Sequence, residues 1–195
     1  GLLTTITRDY DRISMHGVRT ALLEQQAESI GLPLIKVFIS AKSSNEEYAA
    51  AMTEVLTRLK AQGINRVAFG DIWLEDVRRY REDNMAKVGM TGLFPLWGKG
   101  SAWVMETFIK LGFRAITTCV DTHVLDGKFS GRIIDRRFLA ELPPGTDPAG
   151  EKGEFHSFVF GGPIFTRDIQ FKAGETVLRD NRFHYCDLLT RESNK

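Results

Sequence analysis

The chain has 195 residues, 43% of them apolar, and a formal net charge of +1. That length suits one domain, or one domain with a small extension, and the apolar share is enough for a proper core. The near-neutral charge excludes a charge-driven nucleic-acid or membrane partner, and no apolar run approaches the ~20 residues of a membrane span.

The chain opens on Gly1 without an initiator Met, and residues 2–7 already read as an apolar, Thr-rich strand. A segment ahead of Gly1 is therefore expected. Met15, Val18, Leu22 and Ile30 recur at helical spacing, with His16 at the start of this helix and Gly31 with Pro33 stopping it. Residues 34–39 form a second strand. Ser44 and Glu47 make a capping box for a helix whose face carries Tyr48, Met52, Val55 and Leu59. Residues 66–70 form a third strand closing at Asp71, followed by a charged helix over 74–87. Residues 94–98 are a loop or very short strand, 103–111 a helix ending at Gly112, and 114–120 a fourth strand. A short helix over 135–142 stops at Pro143-Pro144-Gly145. Residues 155–160 are a strand, and 177–189 supply one or two more.

Strands alternating with helices predict an α/β fold with right-handed crossovers and a mainly parallel sheet flanked by helices. Ligands in such sheets bind at the carboxyl ends of the strands, which marks residues 7–11, 40–43 and 70–71 as rim segments. The Pro/Gly-rich stretch 143–153 is the expected boundary between a main domain, 1–142, and a C-terminal extension, 143–195. In that extension Phe171, Val177, Phe183, Tyr185 and Leu188 either complete the sheet or cover a dimer surface. Cys119 and Cys186 lie far apart, outside any C-x-x-C pair, and the four histidines are scattered. This argues against structural zinc and suits a reduced, cytoplasmic compartment.

The densest chemistry lies in the run from Asp147 to Phe158, where Glu151, Glu154 and His156 stand close together among glycines. With a strand starting at Phe155, alternation puts Glu154 and His156 on one face, toward a cleft, and Phe155 on the other, toward the core. A surface turn before a strand would look similar. Asp71 suits a magnesium ion or a ribose hydroxyl, or an N-cap. Arg81 falls in register with Leu74, Val77, Met85 and Val88. It needs an anion there, either a phosphate or one of the protein's own carboxylates, because an unpaired buried cation is costly. Arg78 and Arg79 are expected to face solvent. Trp97 is a base-stacking platform or a core residue, and His16 touches a nucleotide or caps its helix. Neither a Walker-type phosphate loop nor a G-x-S-x-G elbow is present, which disfavours a serine hydrolase.

Several short runs occur in order: Met15-His16, Phe69-Gly70-Asp71-Ile72 with its arginine-rich helix, Pro95-Leu96-Trp97-Gly98, Leu111-Gly112-Phe113-Arg114-Ala115, Gly150-Glu151-Lys152-Gly153-Glu154-Phe155-His156-Ser157 and Gly162-Pro163-Ile164-Phe165. Together they resemble the diphthine–ammonia ligase family, the N-type ATP pyrophosphatases, over residues 2–166. The resemblance implies an adenine nucleotide alpha-hydrolase-like sheet with ATP at the strand ends and Mg2+ screening its phosphates. It implies adenylation of a carboxylate-bearing acceptor and attack by ammonia to give an amide. Gly70 and Asp71 would lie near the nucleotide, with Asp71 as metal ligand. Thr5 and His16 would border adenine or ribose, with Arg81, Trp97 and Gly98 completing the nucleotide side. Glu151, Gly153 and Glu154 would form the loop over the acyl-adenylate, and His156 replaces an acidic residue of many relatives. That replacement resembles a bacterial branch, for which an acceptor other than diphthine is expected. The family's S-G-G-K-D-S loop is absent from these residues and is expected before Gly1. The rival reading is a non-catalytic ATP or AMP sensor of the same fold.

Overall fold

The computed structural model describes residues 1–191. β1 (Leu2–Thr7) runs parallel to β3 (Leu34–Ile39), in register from Leu2↔Leu34 to Thr7↔Ile39, and antiparallel to the short β2 (Arg12–Ile13). α1 (Thr20–Ile30) makes the crossover and ends at Gly31 in the left-handed conformation. α2 (Asn45–Ala61) begins at the expected capping box: Ser44 Oγ accepts from the Glu47 amide and the Glu47 carboxylate accepts from the Ser44 amide. β4 (Arg66–Ala68) and β5 (Thr91–Leu93) form a second parallel pair, joined by α3 (Glu75–Lys87). α2 ties the two pairs together. Its Val55 and Leu59 pack on Val37, its Leu56 on Met85 and Met90, and Leu3 of β1 touches both clusters.

α4 (Ser101–Lys110) leads into β6 (Arg114–Asp121), an inner strand of a four-stranded sheet ordered β7-β6-β9-β8. Its partners are β7 (Phe155–Gly161), β9 (Phe183–Thr190) and, beyond β9, β8 (Phe171–Arg179). Between β6 and β7 lies α5 (Arg136–Glu141), capped by the Asp135 carboxylate on the Phe138 amide. β6 is covered on both faces. Ala115 and Val120 pack with Phe129, Phe138 and Phe155, whereas Ile116 packs with Phe158, Leu188 and Leu22 of α1. Each fully buried side chain of this size contributes about 1.5–3 kcal/mol. The second face is how the antiparallel sheet is fastened to the first half of the chain.

The expected mainly parallel sheet is therefore corrected. The fold is mixed α/β; among the described residues parallel pairing is confined to β1–β3 and β4–β5, and the largest sheet is antiparallel. A parallel return needs a helix that runs back along the strands, and α5, at six residues, spans only about 9 Å against about 26 Å for a strand like β6. β8 and β9 join through Asp180 and Asn181, at φ 51° and 53°, a turn whose twist favours a hairpin. These strands complete the sheet. Among the described residues no helix is long and apolar enough to cross a membrane.

The first helix also starts later than its periodicity predicts, at Thr20. Met15 and Gly17 take left-handed φ of 66° and 70°, and two backbone bonds, from the Ile13 amide to the Val18 carbonyl and from the Gly17 amide to the Ile13 carbonyl, close a tight turn ahead of the helix. Gly17 is doubly required, because a Cβ there would lie 2.8 Å from the Tyr185 ring. His16 thus sits in a turn and caps nothing.

Candidate active site

The carboxyl end of β4 continues as Phe69-Gly70-Asp71-Ile72-Trp73. Asp71 Oδ2 accepts from Arg81 Nε at 2.6 Å, and the guanidinium lies 4.7 Å over the Phe69 ring. Arg81 thus finds its anion within the protein, the second of the two partners its position demands. Gly70 is exposed, its φ lies outside the left-handed region, and a Cβ there would meet nothing within 4 Å. The fold itself makes no demand for glycine at this position. Gly98 does take a left-handed φ of 73°, and its amide donates to the Ile72 carbonyl at 2.8 Å.

The 147–154 loop docks on this strand end. Glu151 Oε1 accepts from the Ile72 amide at 2.7 Å. Asp147 Oδ2 accepts from Trp73 Nε1 at 2.9 Å and from Ser101 Oγ at 2.8 Å, and Asp147 Oδ1 accepts from the Ala149 amide. Ile72, with Glu151 on its amide and Gly98 on its carbonyl, and Asp147, with Trp73 and Ser101, stitch three loops into one junction. Glu154 is 5% exposed, and its two carboxylate oxygens accept from the Asp147 and Lys152 amides, each at 3.0 Å. The expected cleft-facing Glu154 is thus corrected: its carboxylate is turned into its own loop, where it satisfies donors that the Gly-rich turn leaves unpaired. Gly153 is left-handed at φ 84° in the same turn.

His156, on β7, is also turned inward. Its ring lies 4.7 Å from that of His16 at an interplanar angle of 43°. Burial, and then the neighbouring His16, push the His156 pKa down to about 4, and burial likewise lowers His16. Neutral pH therefore finds the pair uncharged. The His16 ring nitrogen Nδ1 lies 3.2 Å from the Ser14 carbonyl, and the Ser14 amide donates to the Thr5 carbonyl at 3.1 Å. Thr5, His16 and His156 thus form one contiguous group at β1, while Asp71, Arg81, Gly98, Glu151 and Glu154 form another at β4. Residues 151–156 join the two.

Trp97 and Phe94 meet edge to face, and Arg78 lies over both rings, 4.7 Å from Trp97 and 4.9 Å from Phe94. Arg78 is half-buried on this aromatic pair, a correction of its expected solvent-facing place. Among the described residues no group of three or more His, Cys, Asp or Glu side chains is disposed to hold a metal ion. Sequence reasoning missed Trp73 and Ser101 and passed over Asp147 within its own best run. Asp147-Pro148-Ala149-Gly150 carries a usable signal, since an aspartate in such a tetrapeptide readily bonds the amide two residues on. A cleft of about 810 Å³ lies elsewhere, between the β2 turn and the β8–β9 hairpin; Thr7 and Tyr10 of the expected 7–11 rim line it, but none of the expected site residues does.

Residues 2–92 match the diphthamide synthase N-terminal domain and residues 100–190 the diphthamide synthase C-terminal domain. The chain is 29% identical over 171 residues to the diphthine–ammonia ligase of Danio rerio, covering 80% of this chain and 67% of that protein. It is 26% identical over 184 residues to the diphthine–ammonia ligase of Bos taurus, covering 86% and 67%, and 25% identical over 185 residues to that of Homo sapiens, covering 87% and 67%. These matches place the chain among ATP-dependent ligases that form carbon–nitrogen bonds. Within that class it belongs to the diphthamide synthase family.

Proposed function

We propose that the protein is an AMP-forming amide ligase. An acceptor carboxylate attacks the α-phosphorus of ATP and pyrophosphate leaves, giving an acyl-adenylate. Ammonia then attacks the acyl carbon, AMP departs, and a proton is released with the amide. The observation that carries this reading is the reach of residues 151–156, which touch Ile72 beyond β4 through Glu151 and His16 beyond β1 through His156. A reaction at these strand ends is thereby roofed by one short segment, which supports catalysis by positioning.

In this reading Gly70 and Gly98 admit the nucleotide to the backbone, and Thr5 with His16 borders adenine or ribose. The uncharged His16–His156 pair forms a wall of low polarity beside it. Trp97 offers the ring face opposite Arg78. Arg81 holds Asp71 in place. Glu151, Gly153 and Glu154 shape the loop over the acyl-adenylate, with Glu154 a positioning residue because both of its oxygens are engaged. Mg2+ brought in with ATP fits Asp71, whose Oδ1 has no partner among the described residues, with phosphate oxygens supplying most other ligands. The relatives are named for diphthine and ammonia. For this chain we assign ammonia as nucleophile and diphthine or a related carboxylate as acceptor, held by the segment from Pro143 onward. The two buried, unpaired cysteines suit a reducing, cytoplasmic setting.

The test uses full-length protein, Mg2+, ammonium, a diphthine-bearing acceptor and ATP labelled on the α-phosphate. AMP and pyrophosphate should appear only when the acceptor is present. ADP and phosphate would rule the reading out. Intact ATP across a broad panel of carboxylates, despite tight ATP binding, would make the protein a nucleotide sensor.

A further inference from the structure

The run Glu151-Lys152-Gly153-Glu154 invites attention to its acids, yet the acids are largely spent on backbone. Both Glu154 oxygens hold amides of their own loop, and Glu151 Oε1 holds the Ile72 amide. Lys152 differs. It is exposed, and its ammonium makes no ion pair or side-chain hydrogen bond among the described residues. Its Nζ lies 5.3 Å over the ring of Trp73, which is itself 38% exposed and pinned at Nε1 by Asp147 and Ser101. A second ammonium repeats the arrangement from the neighbouring loop. Lys99 Nζ lies 5.7 Å over Trp103, which is 51% exposed, and Lys99 follows the glycine that bonds the Ile72 carbonyl.

Two long cations are thus laid on indole faces at the edge of one rigid junction. The rings restrict lysine rotamers that would otherwise be free. Some other lysines of the chain end on a protein acceptor, as Lys36 does on Glu24 and Lys60 on the Val88 carbonyl. An ammonium held in place without an acceptor is prepared for an anion.

We propose that Lys152 and Lys99 form the anion-binding edge of the active site, and that they position an anionic group of a substrate, phosphate or carboxylate, beside the 147–154 loop. This deepens the ligase reading and rests on it for the identity of the ligand. The ammonium donates hydrogen bonds to the anion's oxygens without moving a proton, so both lysines are positioning residues.

The two indoles supply the readout. Trp73 and Trp103 fluorescence is titrated in the full-length protein carrying Trp97→Phe, which silences the third indole of this sequence, with inorganic pyrophosphate, ATP and glutarate in turn. Saturable changes with pyrophosphate and ATP assign the edge to phosphate, and a change with glutarate alone assigns it to the acceptor carboxylate. Lys152→Gln and Lys99→Gln should each weaken the responding anion about tenfold or more, the loss of one charge-assisted contact. Lys152→Arg should retain most of the affinity, and the melting temperature should stay unchanged throughout. Wild-type affinity in both Gln variants, or no saturable response to any of the three anions, would overturn the proposal. Anion binding without AMP formation would instead sink the ligase reading and leave this edge standing.

Discussion

At Gly70 a side chain would project into open space, from a backbone conformation outside the left-handed region. Nothing in the folded chain therefore selects glycine there, whereas Gly17 is selected by both its φ and the Tyr185 ring. Gly70→Leu is expected to leave the melting temperature unchanged while weakening ATP binding about tenfold or more, on the order of 1.4 kcal/mol. Calorimetric titration with ATP checks this, and an unaltered dissociation constant would remove Gly70 from the nucleotide site. Residue identities at the site were readable in the sequence: Asp71, Glu151 and Glu154 stand out as carboxylates beside glycines. Their duties were not. Whether a carboxylate reacts or holds a loop depends on which donors surround it. Glu154 faces two amides of its own turn, and Asp71 faces the guanidinium of Arg81.

At the scale of elements, β7 meets the turn after β2 through two imidazoles. Among the described residues, burial and the neighbouring His16 are what lower His156. Cys119, opposite it on β6, has its thiol pushed up to about 11 by burial and stays neutral. In the unfolded chain both imidazoles bind protons near pH 6.5, while folded His156 resists until about pH 4. The unfolded state therefore holds more protons in that window, and stability falls as pH drops through it. The urea midpoint should be lower at pH 5 than at pH 7.5, and His156→Phe should flatten this dependence. An identical pH profile in wild type and variant would show that the pair has no such role. Elements with strong local signals were legible. The capping box starts α2, and Asp135 caps α5. β2 and β5 escaped because they carry no apolar run of their own and exist through their partners, whereas β4, as short as β5, is marked by Val67-Ala68-Phe69 ahead of Gly70.

Across the whole molecule, the antiparallel sheet is clamped to the first half by Asp187 of β9. It accepts from Arg12 at 2.8 Å and from Arg19 at 2.6 Å. Burial alone would raise the Asp187 pKa, but the hydrogen bonds from Arg19 and Arg12 outweigh it and hold the carboxyl at about 2. This contribution is present above the unfolded value near 3.9 and is lost as pH falls toward about 2. Asp187→Asn should lower stability by about 1–3 kcal/mol, since two guanidinium groups lose a charged partner. Guanidinium chloride unfolding measures it, and an unchanged midpoint would show the clamp to be ornamental. The sequence by itself determined the succession of strands and helices, because caps, stops and apolar spacing act over a few residues, and it marked the acidic loop through its order of motifs. Only the tertiary structure decided which strands run antiparallel and which charged groups remain free. Those outcomes depend on partners far apart in the chain: the bond between Ile72 and Glu151 spans 79 positions, and no local pattern records a contact of that range.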